Sequence, residues 1–385
     1  MTRPTSLIPD QPAAPGRPVA RPDSLLDRPG GVRDHLAAVD ALLGQTMDTL
    51  TRHWSDLAGG QPPDVLGDAD LPQLLLALLG SGGKRIRPTM TYLGWAACAG
   101  PDRTGERRQI VTVSAALELL HLFALVHDDV MDESDSRRGV PTVHRQAGRR
   151  HAATGAVGDP ELFGTSIAIL AGDLALAEAE GMIAETPPAT RRLWRHLVVE
   201  LVVGQRQDLT GTAARRRDLP FAHSVAILKS GRYTVQRPLE LGAVIAGAPD
   251  STRLALSNYG QHLGEAFALR DDVLGVWGDP ARTGKPAGDD LMSGKPTVLL
   301  SIAVDRTRSP AARCALDRVG TPSFGRADLA VLLEELSTNG TRSSVERMIG
   351  QAAETALRAL DDPELDPDAV AELRRLARAI AWRER

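Results

Sequence analysis

The stretch HLFALVHDDVMDES, residues 121–134, decides how the rest of the chain is interpreted, because an apolar run ends abruptly on carboxylates. The spacing of Val, Ala and Leu in residues 111–126 predicts a mostly buried helix. Five of the eight residues from Asp128 to Asp135 are acidic, although a helix C-terminus favours basic residues. A bound metal ion is the simplest way to neutralise this cluster, and a solvated acidic helix end is the alternative.

Composition narrows the possible classes of protein. The chain has 385 residues, a formal net charge of −4 and a pI near 6.2, which gives no global basic field for nucleic acid or an anionic membrane. Its two cysteines, Cys98 and Cys314, lie far apart and lack metal-ligand spacing, as expected in a reducing compartment. We find no apolar run of transmembrane length and no secretory signal, so we expect a cytoplasmic protein.

Helical periodicity dominates from residue 32 onward, and strand-like alternation is scarce. We therefore predict an all-α fold, a single large helical bundle over residues 32–385. The proline-rich residues 1–31 are predicted to form a disordered tail. Helices are expected roughly at 32–57, 69–79, 84–98, 107–132, 161–184, 188–211, 219–247 and 251–277, with three to five more from about residue 293.

A second acidic cluster follows another apolar helix. That helix ends on Asp271 and Asp272, with Asp279, Asp289 and Asp290 further along the chain. In a bundle the two acidic helix ends could face one cavity. Asp128 and Asp132 are four residues apart, on one helical face, while Asp129 lies about 100° around the helix. Mg²⁺ suits this pattern because it takes one or two carboxylates, keeps waters, and binds phosphate oxygens.

Cations that could bind phosphates accompany both acidic clusters. The glycine-rich segment GSGGKRIRP, residues 80–88, carries Lys84, Arg85 and Arg87. Taken singly, each such residue is better explained as a solvated surface cation, but their position beside both clusters favours phosphate binding. The remaining candidates are Arg137, Arg138, Lys229, Lys285 and Lys295.

These residues give the chain a clear resemblance. Residues 32–380 resemble the trans-isoprenyl diphosphate synthases of the polyprenyl synthetase family, most closely the bacterial geranylgeranyl diphosphate synthases. The motifs GGKRIRP, ELLHLFALVHDDVMD with RRG, GQRQD, KSGRY and RDDVLGVWGDPARTGKPAGDD occur in the family's order and approximate spacing. The resemblance implies an isoprenoid-synthase bundle with a central active-site cavity, and a homodimer.

The resemblance also implies a reaction. Isopentenyl diphosphate would condense head to tail with dimethylallyl, geranyl or farnesyl diphosphate, with three Mg²⁺ ions per site. The implied catalytic residues are Asp128, Asp129, Asp132, Lys229 and Asp271, and the implied metal ligands are Asp128, Asp132, Asp271 and Asp272. The implied substrate contacts are Lys84, Arg87, His121, Arg137, Arg138, Gln205, Asp208, Lys229, Ser230, Lys285 and Lys295.

Product length is expected to depend on the helix before Asp128. Phe123 lies about 7.5 Å below the carboxylates along the helix. By resemblance, one aromatic at that position with Ala124 beside it is typical of synthases that stop at twenty carbons, so geranylgeranyl diphosphate is the expected product. A farnesyl or C25 synthase, a class I terpene cyclase and a weakly active partner subunit remain alternatives.

Two positions depart from the family pattern. Gly275 stands where many members have a third aspartate of the second motif, and Ala268 stands where glutamine is usual. Both changes put the third metal site in question. Asp279 could compensate for Gly275 through a water molecule.

Overall fold

The fold is described from a computed structural model, which covers residues 31–58, 64–99, 104–137, 139–279 and 287–382. The tail predicted for residues 1–31 lies almost entirely outside the described residues. The chain divides into two compact units. The first comprises Met1–Tyr92 and Arg103–Pro188, and the second comprises Leu93–Asp102 and Ala189–Arg385. A single domain over residues 32–385 stays a prediction.

Helices account for nearly all of the regular structure in the described residues, which confirms the all-α class. Up to residue 184 the elements are α1 Val32–Ala58, α2 Leu71–Gly80, α3 Ile86–Ala99, α4 Thr104–Met131, β1 Ser136–Arg137, β2 Val140–Pro141, α5 Val143–Thr154 and α6 Pro160–Ala184. From residue 188 they are α7 Pro188–Ala213, α8 Leu219–Val225, a π-helical segment Ala226–Gln236, α9 Arg237–Ile245, α10 Asp250–Trp277, α11 Asp289–Ser293, α12 Val298–Arg306, α13 Pro310–Arg318, α14 Arg326–Thr338, α15 Thr341–Ala359 and α16 Pro367–Ala381.

Helix starts follow a recurrent local signal. Asp159 accepts a hydrogen bond from the backbone N–H of Glu161, and Pro160 fills the first helical position of α6. Asp366 and Pro367 begin α16 in the same way. An Asp side chain satisfies an otherwise unpaired N–H, and proline loses no bond at that position. These signals explain why most helix boundaries were predicted to within a few residues.

The first unit is built around α4 and α6. The buried side of α6 consists of small residues, among them Ala168, Ala171, Gly172 and Ala175, so α4 can approach closely. α5 also packs on α6, where a Cβ on Gly164 would lie 2.2 Å from the carbonyl oxygen of His144. This helix was not predicted, because its sequence is polar and its buried face includes histidines.

The second unit has a continuous apolar core around α10, which packs against α15. Arg270 of α10 fixes this pairing, because its guanidinium donates to both carboxylate oxygens of Glu346 at 2.8 and 2.6 Å. Its Nε donates to the carbonyl of Ala381. Such a bidentate pair is geometrically demanding, and together with the bond to Ala381 it holds three helices in register.

The prediction that no apolar run reaches transmembrane length was wrong by length and composition: among the described residues, two helical stretches, Glu106–Met131 and Pro160–Ala184, are long and apolar enough to cross a membrane. Core helices of soluble proteins meet the same criterion. The α4 stretch has 61% of its most apolar window buried, whereas the α6 stretch has 33%. α6 therefore leaves much of its apolar surface exposed.

Candidate active site

The first acidic motif lies where α4 ends. The chain leaves the helix in a tight turn, in which the N–H of Asp132 donates to the carbonyl of Asp128 and that of Ser134 to the carbonyl of Asp129. Glu133 takes a left-handed φ of 50°. The side chain of Asp128 is 20% exposed and that of Asp129 only 3%. Of this adjacent pair, Asp128 is therefore the more accessible to a ligand.

A short hairpin returns Arg137 to these carboxylates. β1 and β2 pair antiparallel, and Gly139 adopts the positive φ that the turn requires. The Arg137 Nε donates to Asp129 at 2.7 Å, and its Nη2 lies 3.5 Å from Asp128. Burial alone would lower the pKa of Arg137, but the hydrogen bond and charge of Asp129, with the charges of Asp128 and Asp132, raise it. Arg137 thus neutralises the buried Asp129.

The predicted phosphate anchor, residues 82–88, consists of a strained loop and the first residues of α3. Gly82 has φ 86°, and Arg85 has φ 49°, a conformation that costs a non-glycine residue roughly 1–2 kcal/mol. The Arg85 side chain is held by Glu118 of α4 and by Asp40 of α1, the latter at 2.8 Å. Lys84 is exposed and Arg87 half-buried on either side of it. Arg85 is therefore fixed by ion pairs to α1 and α4. Lys84 and Arg87 lie at the N-terminus of α3, a position that favours anion binding.

The candidate chain-length residues lie on α4. His121, Phe123 and Ala124 are all half-buried. The ring of Phe123 meets the ring of His127 edge-on, with centroids 4.7 Å apart and planes at 62°. Phe123 therefore has a defined neighbour one helical turn closer to the aspartates.

In the second unit, Lys229 and Asp208 form a close ion pair. The Nζ of Lys229 donates to Asp208 Oδ2 at 2.5 Å, and the Asp208 side chain is only 7% exposed. Gly204 permits this approach, since a Cβ there would lie 2.5 Å from the backbone nitrogen of Lys229. This contact brings one residue of GQRQD beside one residue of KSGRY; their role in a common site stays a prediction.

Lys229 and Ser230 belong to the π-helical segment, not to the continuous α-helix that the sequence predicts over 219–247. The N–H of Arg237 bonds the carbonyl of Arg232, five residues earlier, and Pro238 has no N–H to continue an α ladder. Gly231 also packs directly on Gly264 of α10, each Cβ position being 2.7 Å from the other's carbonyl oxygen. Single π turns are frequent at functional sites.

The second acidic motif lies near the end of α10. Asp271 is exposed and Asp272 is half-buried. Asp272 Oδ2 accepts from the N–H of Val298, at the start of α12. Burial raises the pKa of Asp272 well above its ordinary value, and the negative charges of Asp290 and Asp271 add to this effect. A cation at this cluster would relieve the repulsion.

Asp290 belongs to the second acidic cluster of the sequence, but the sequence alone assigns it no role. A Cβ on Gly275 would lie 2.0 Å from Asp290 Oδ2. The position that lacks the usual third aspartate therefore accommodates a carboxylate from α11, 15 residues later in the sequence. The signal was present as the pair Asp289 and Asp290, but its relation to Gly275 depends on the loop conformation.

Within the described ranges, no group of three or more His, Cys, Asp or Glu side chains is arranged to hold a metal ion alone. Each motif instead offers a small number of carboxylates, which fits Mg²⁺ completed by water and phosphate oxygens. The crowded charges at Asp272 support this fit. Zinc-like closed coordination is not supported by these residues.

The remaining predicted residues divide into two groups. Gln205, Ser230 and Lys295 are half-buried in the second unit. Arg138 and Lys285 lie outside the described residues. The roles of these five residues stay predictions. Ala268, which departs from the family pattern, is buried, at 2% exposure.

Comparisons with known proteins identify the family of the chain. The polyprenyl synthetase family matches residues 68–335. A geranylgeranyl diphosphate synthase of Mycobacterium tuberculosis is 32% identical over 311 residues, 79% of this chain and 81% of that protein. A geranylfarnesyl diphosphate synthase of Aeropyrum pernix is 34% identical over 253 residues, 63% of this chain and 72% of that protein.

Similarity to a solved structure supports the same family assignment. The geranylgeranyl pyrophosphate synthase of Corynebacterium glutamicum, complexed with isoprenyl diphosphate and magnesium, is 40% identical. It superimposes with a TM-score of 0.83 over 91% of this chain and 97% of that one. The chain therefore belongs to the polyprenyl synthetase family, and it is a prenyltransferase of the trans-prenyl diphosphate synthase type.

Proposed function

We propose that this enzyme is a magnesium-dependent geranylgeranyl diphosphate synthase, which adds isopentenyl diphosphate to dimethylallyl, geranyl or farnesyl diphosphate until the chain reaches twenty carbons. The observation that carries the chain length is the single aromatic ring of Phe123, half-buried on α4 and followed by Ala124. The similar proteins named above make products of twenty and twenty-five carbons, so the family alone does not fix the length.

Asp128, Asp132, Asp271 and Asp272 are the proposed ligands of three Mg²⁺ ions, with Asp129 in support. Bound Mg²⁺ would stabilise the negative charge that develops on the departing diphosphate. The ion pair of Asp129 with Arg137 supports this assignment because it holds the buried carboxylate in place. Asp128, which the same guanidinium contacts more loosely at 3.5 Å, is the more exposed of the two.

The two diphosphates are proposed to bind different cations. Lys84, Arg87, His121 and Arg138 would hold isopentenyl diphosphate, and the exposure of Lys84 beside the start of α3 supports this role. The allylic diphosphate would be held by Arg137, Lys229, Ser230, Lys285 and Lys295. Lys229 would stabilise the negative charge that develops on the allylic diphosphate as its carbon–oxygen bond breaks. The ion pair with Asp208 would hold the Lys229 ammonium group in position for this role. Gln205 and Asp208 would line the reacting centre.

The decisive experiment is product analysis of the purified enzyme with isopentenyl diphosphate, each allylic diphosphate and Mg²⁺. We expect a C20 product from every starter. Phe123→Ala should shift products to C25 or longer because it removes the proposed floor, while Ala124→Phe should shorten them to C15. Wild-type products from both variants would contradict the floor. A cyclic hydrocarbon product, or activity only with an added subunit, would instead support the alternative functions.

We further propose that the enzyme is a cytoplasmic homodimer. Leu162, Ile169 and Leu170 of α6 are 65%, 42% and 52% exposed, which is unusual for apolar side chains on one helix. A second copy of the chain would cover them. Light scattering should give a dimer mass for the wild type, and a monomer for Leu162→Glu combined with Leu170→Glu. A wild-type monomer would contradict this proposal.

A further inference from the structure

His127, which contacts Phe123, also contacts α6. The imidazole Nε2 of His127 lies 3.1 Å from the carbonyl oxygen of Ile169, within hydrogen-bond distance. The ring also lies over Gly172, where a Cβ would be 2.2 Å from both Cδ2 and Nε2. No side chain larger than hydrogen fits at residue 172 while His127 keeps this position.

These contacts form one chain of packing, from Gly172 through His127 to Phe123. His127 and Phe123 are four residues apart, so both side chains project from the same face of α4. The His127 ring is fixed by its hydrogen bond at one edge and by the α6 backbone beneath it. Its other side meets the Phe123 ring in the edge-on arrangement that aromatic pairs prefer.

We infer that His127 and Gly172 are positioning residues for product length: His127, resting on Gly172, braces Phe123 in the orientation that stops elongation. This inference rests on the proposed role of Phe123 as the floor of the elongation channel. An aromatic floor without support could rotate as the growing chain presses on it, and the enzyme would then release a mixture of lengths. Braced by His127, the floor is rigid.

Two substitutions should act in opposite directions. His127→Ala removes the brace, so Phe123 can turn into the vacated space, and the share of C25 and longer products should rise at least threefold. Gly172→Ala places a methyl group against the imidazole. The ring must then move back onto α4 toward Phe123, which should narrow the channel and raise the C15 share at least threefold.

The double variant separates a brace from a general loss of structure. With His127 reduced to alanine, the methyl group at residue 172 has no ring to displace. The double variant should therefore give the long products of His127→Ala, and its Tm should exceed that of Gly172→Ala. A double variant that melts as low as Gly172→Ala would show that the clash is not with His127, which would overturn the inference even if Gly172→Ala barely folds.

Gly181 provides a matched control on the same helix. It is exposed, and a Cβ there would meet nothing within 4 Å. Gly181→Ala should keep the wild-type product distribution and a Tm at least as high, because alanine favours the helix more than glycine does. A similar product shift in Gly181→Ala would mean that any change in α6 alters chain length, and the specific brace would be refuted.

Product lengths should be expressed as shares of total product, which makes them independent of overall rate. If Phe123→Ala lengthens the products but His127→Ala leaves them unchanged, Phe123 is the floor and the brace is wrong. If Phe123→Ala itself has no effect, Phe123 is not the floor, and the inference is overturned together with the proposed basis of chain length. These two failures are therefore distinguishable.

Discussion

Arg85 offers the sharpest test of how the phosphate-anchor loop is held. Its side chain is 13% exposed, and its guanidinium pairs with Glu118, whose side chain is 6% exposed, and with Asp40. Arg85→Ala would leave the buried Glu118 carboxylate without its partner. Breaking a buried ion pair in this way costs about 3–5 kcal/mol of unfolding free energy.

The left-handed backbone at Arg85 provides a second, separable quantity. Alanine at φ 49° keeps the steric strain, whereas glycine removes it. Arg85→Gly loses the same ion pairs as Arg85→Ala, but it should be more stable than that variant by about 1 kcal/mol. Glu118→Gln in the Arg85→Ala background should recover part of the loss, because it removes the uncompensated charge.

Urea unfolding of the four proteins, followed by circular dichroism, would measure these differences. The exposed Arg52 of α1 is a suitable control, and Arg52→Ala should change the unfolding free energy by no more than about 0.5 kcal/mol. Kinetics should show a raised KM for isopentenyl diphosphate in Arg85→Ala, because Lys84 and Arg87 flank the loosened position. An Arg85→Ala variant as stable as the wild type, or further destabilisation by Glu118→Gln, would refute the reasoning.

Three further expectations concern metals, substrates and pH. Asp128→Ala and Asp271→Ala should each reduce turnover by about 100-fold or more, because each removes a main contributor to electrostatic stabilisation of the transition state. The Asp128 change should have the larger effect. Full activity of either variant in steady-state assays would exclude that residue as a ligand. Lys84→Ala should mainly raise the KM for isopentenyl diphosphate, because that diphosphate does not ionise, whereas Lys229→Ala should lower kcat; the reverse pattern would mean that the two sites are exchanged. Burial lowers the pKa of His35 to about 3, so between there and about pH 6.5 the unfolded chain binds one more proton than the folded chain. The free energy of unfolding should therefore fall by about 1.4 kcal/mol for each pH unit of acidification in that window. His35→Gln should flatten this dependence in urea titrations at pH 4.5 and 7, and an unchanged slope would contradict it.

The helical fold was predictable because its signals are local. Capping residues such as Asp159 and Asp366 mark helix starts, and apolar periodicity marks buried faces. α5 escaped prediction because His144 and His151 are polar by composition, although both are buried in the structure. A pattern of hydrophobic residues cannot register a buried histidine.

The candidate site was predictable by residue type but not by partner. The sequence places Arg137 near the aspartates, yet only the hairpin shows that it pairs with the buried Asp129. The glycine at 275 appeared from the sequence as a lost carboxylate, whereas in the structure it makes room for Asp290. Pairings of this kind depend on turn geometry, which charge spacing along the chain does not encode.

The π-helical segment makes residues 226–236 unusually sensitive to length. A π-helix holds an extra residue relative to the α ladder, so deleting one residue would let the segment relax into an ordinary α-helix. Because the π-helix absorbs that extra residue, the α-helices on either side would keep their register, while the side chains within the segment would point in new directions. Lys229 would turn away from Asp208, even though every motif residue was still present. Relatives with a one-residue gap here should therefore be regarded as altered enzymes, however well their remaining residues align.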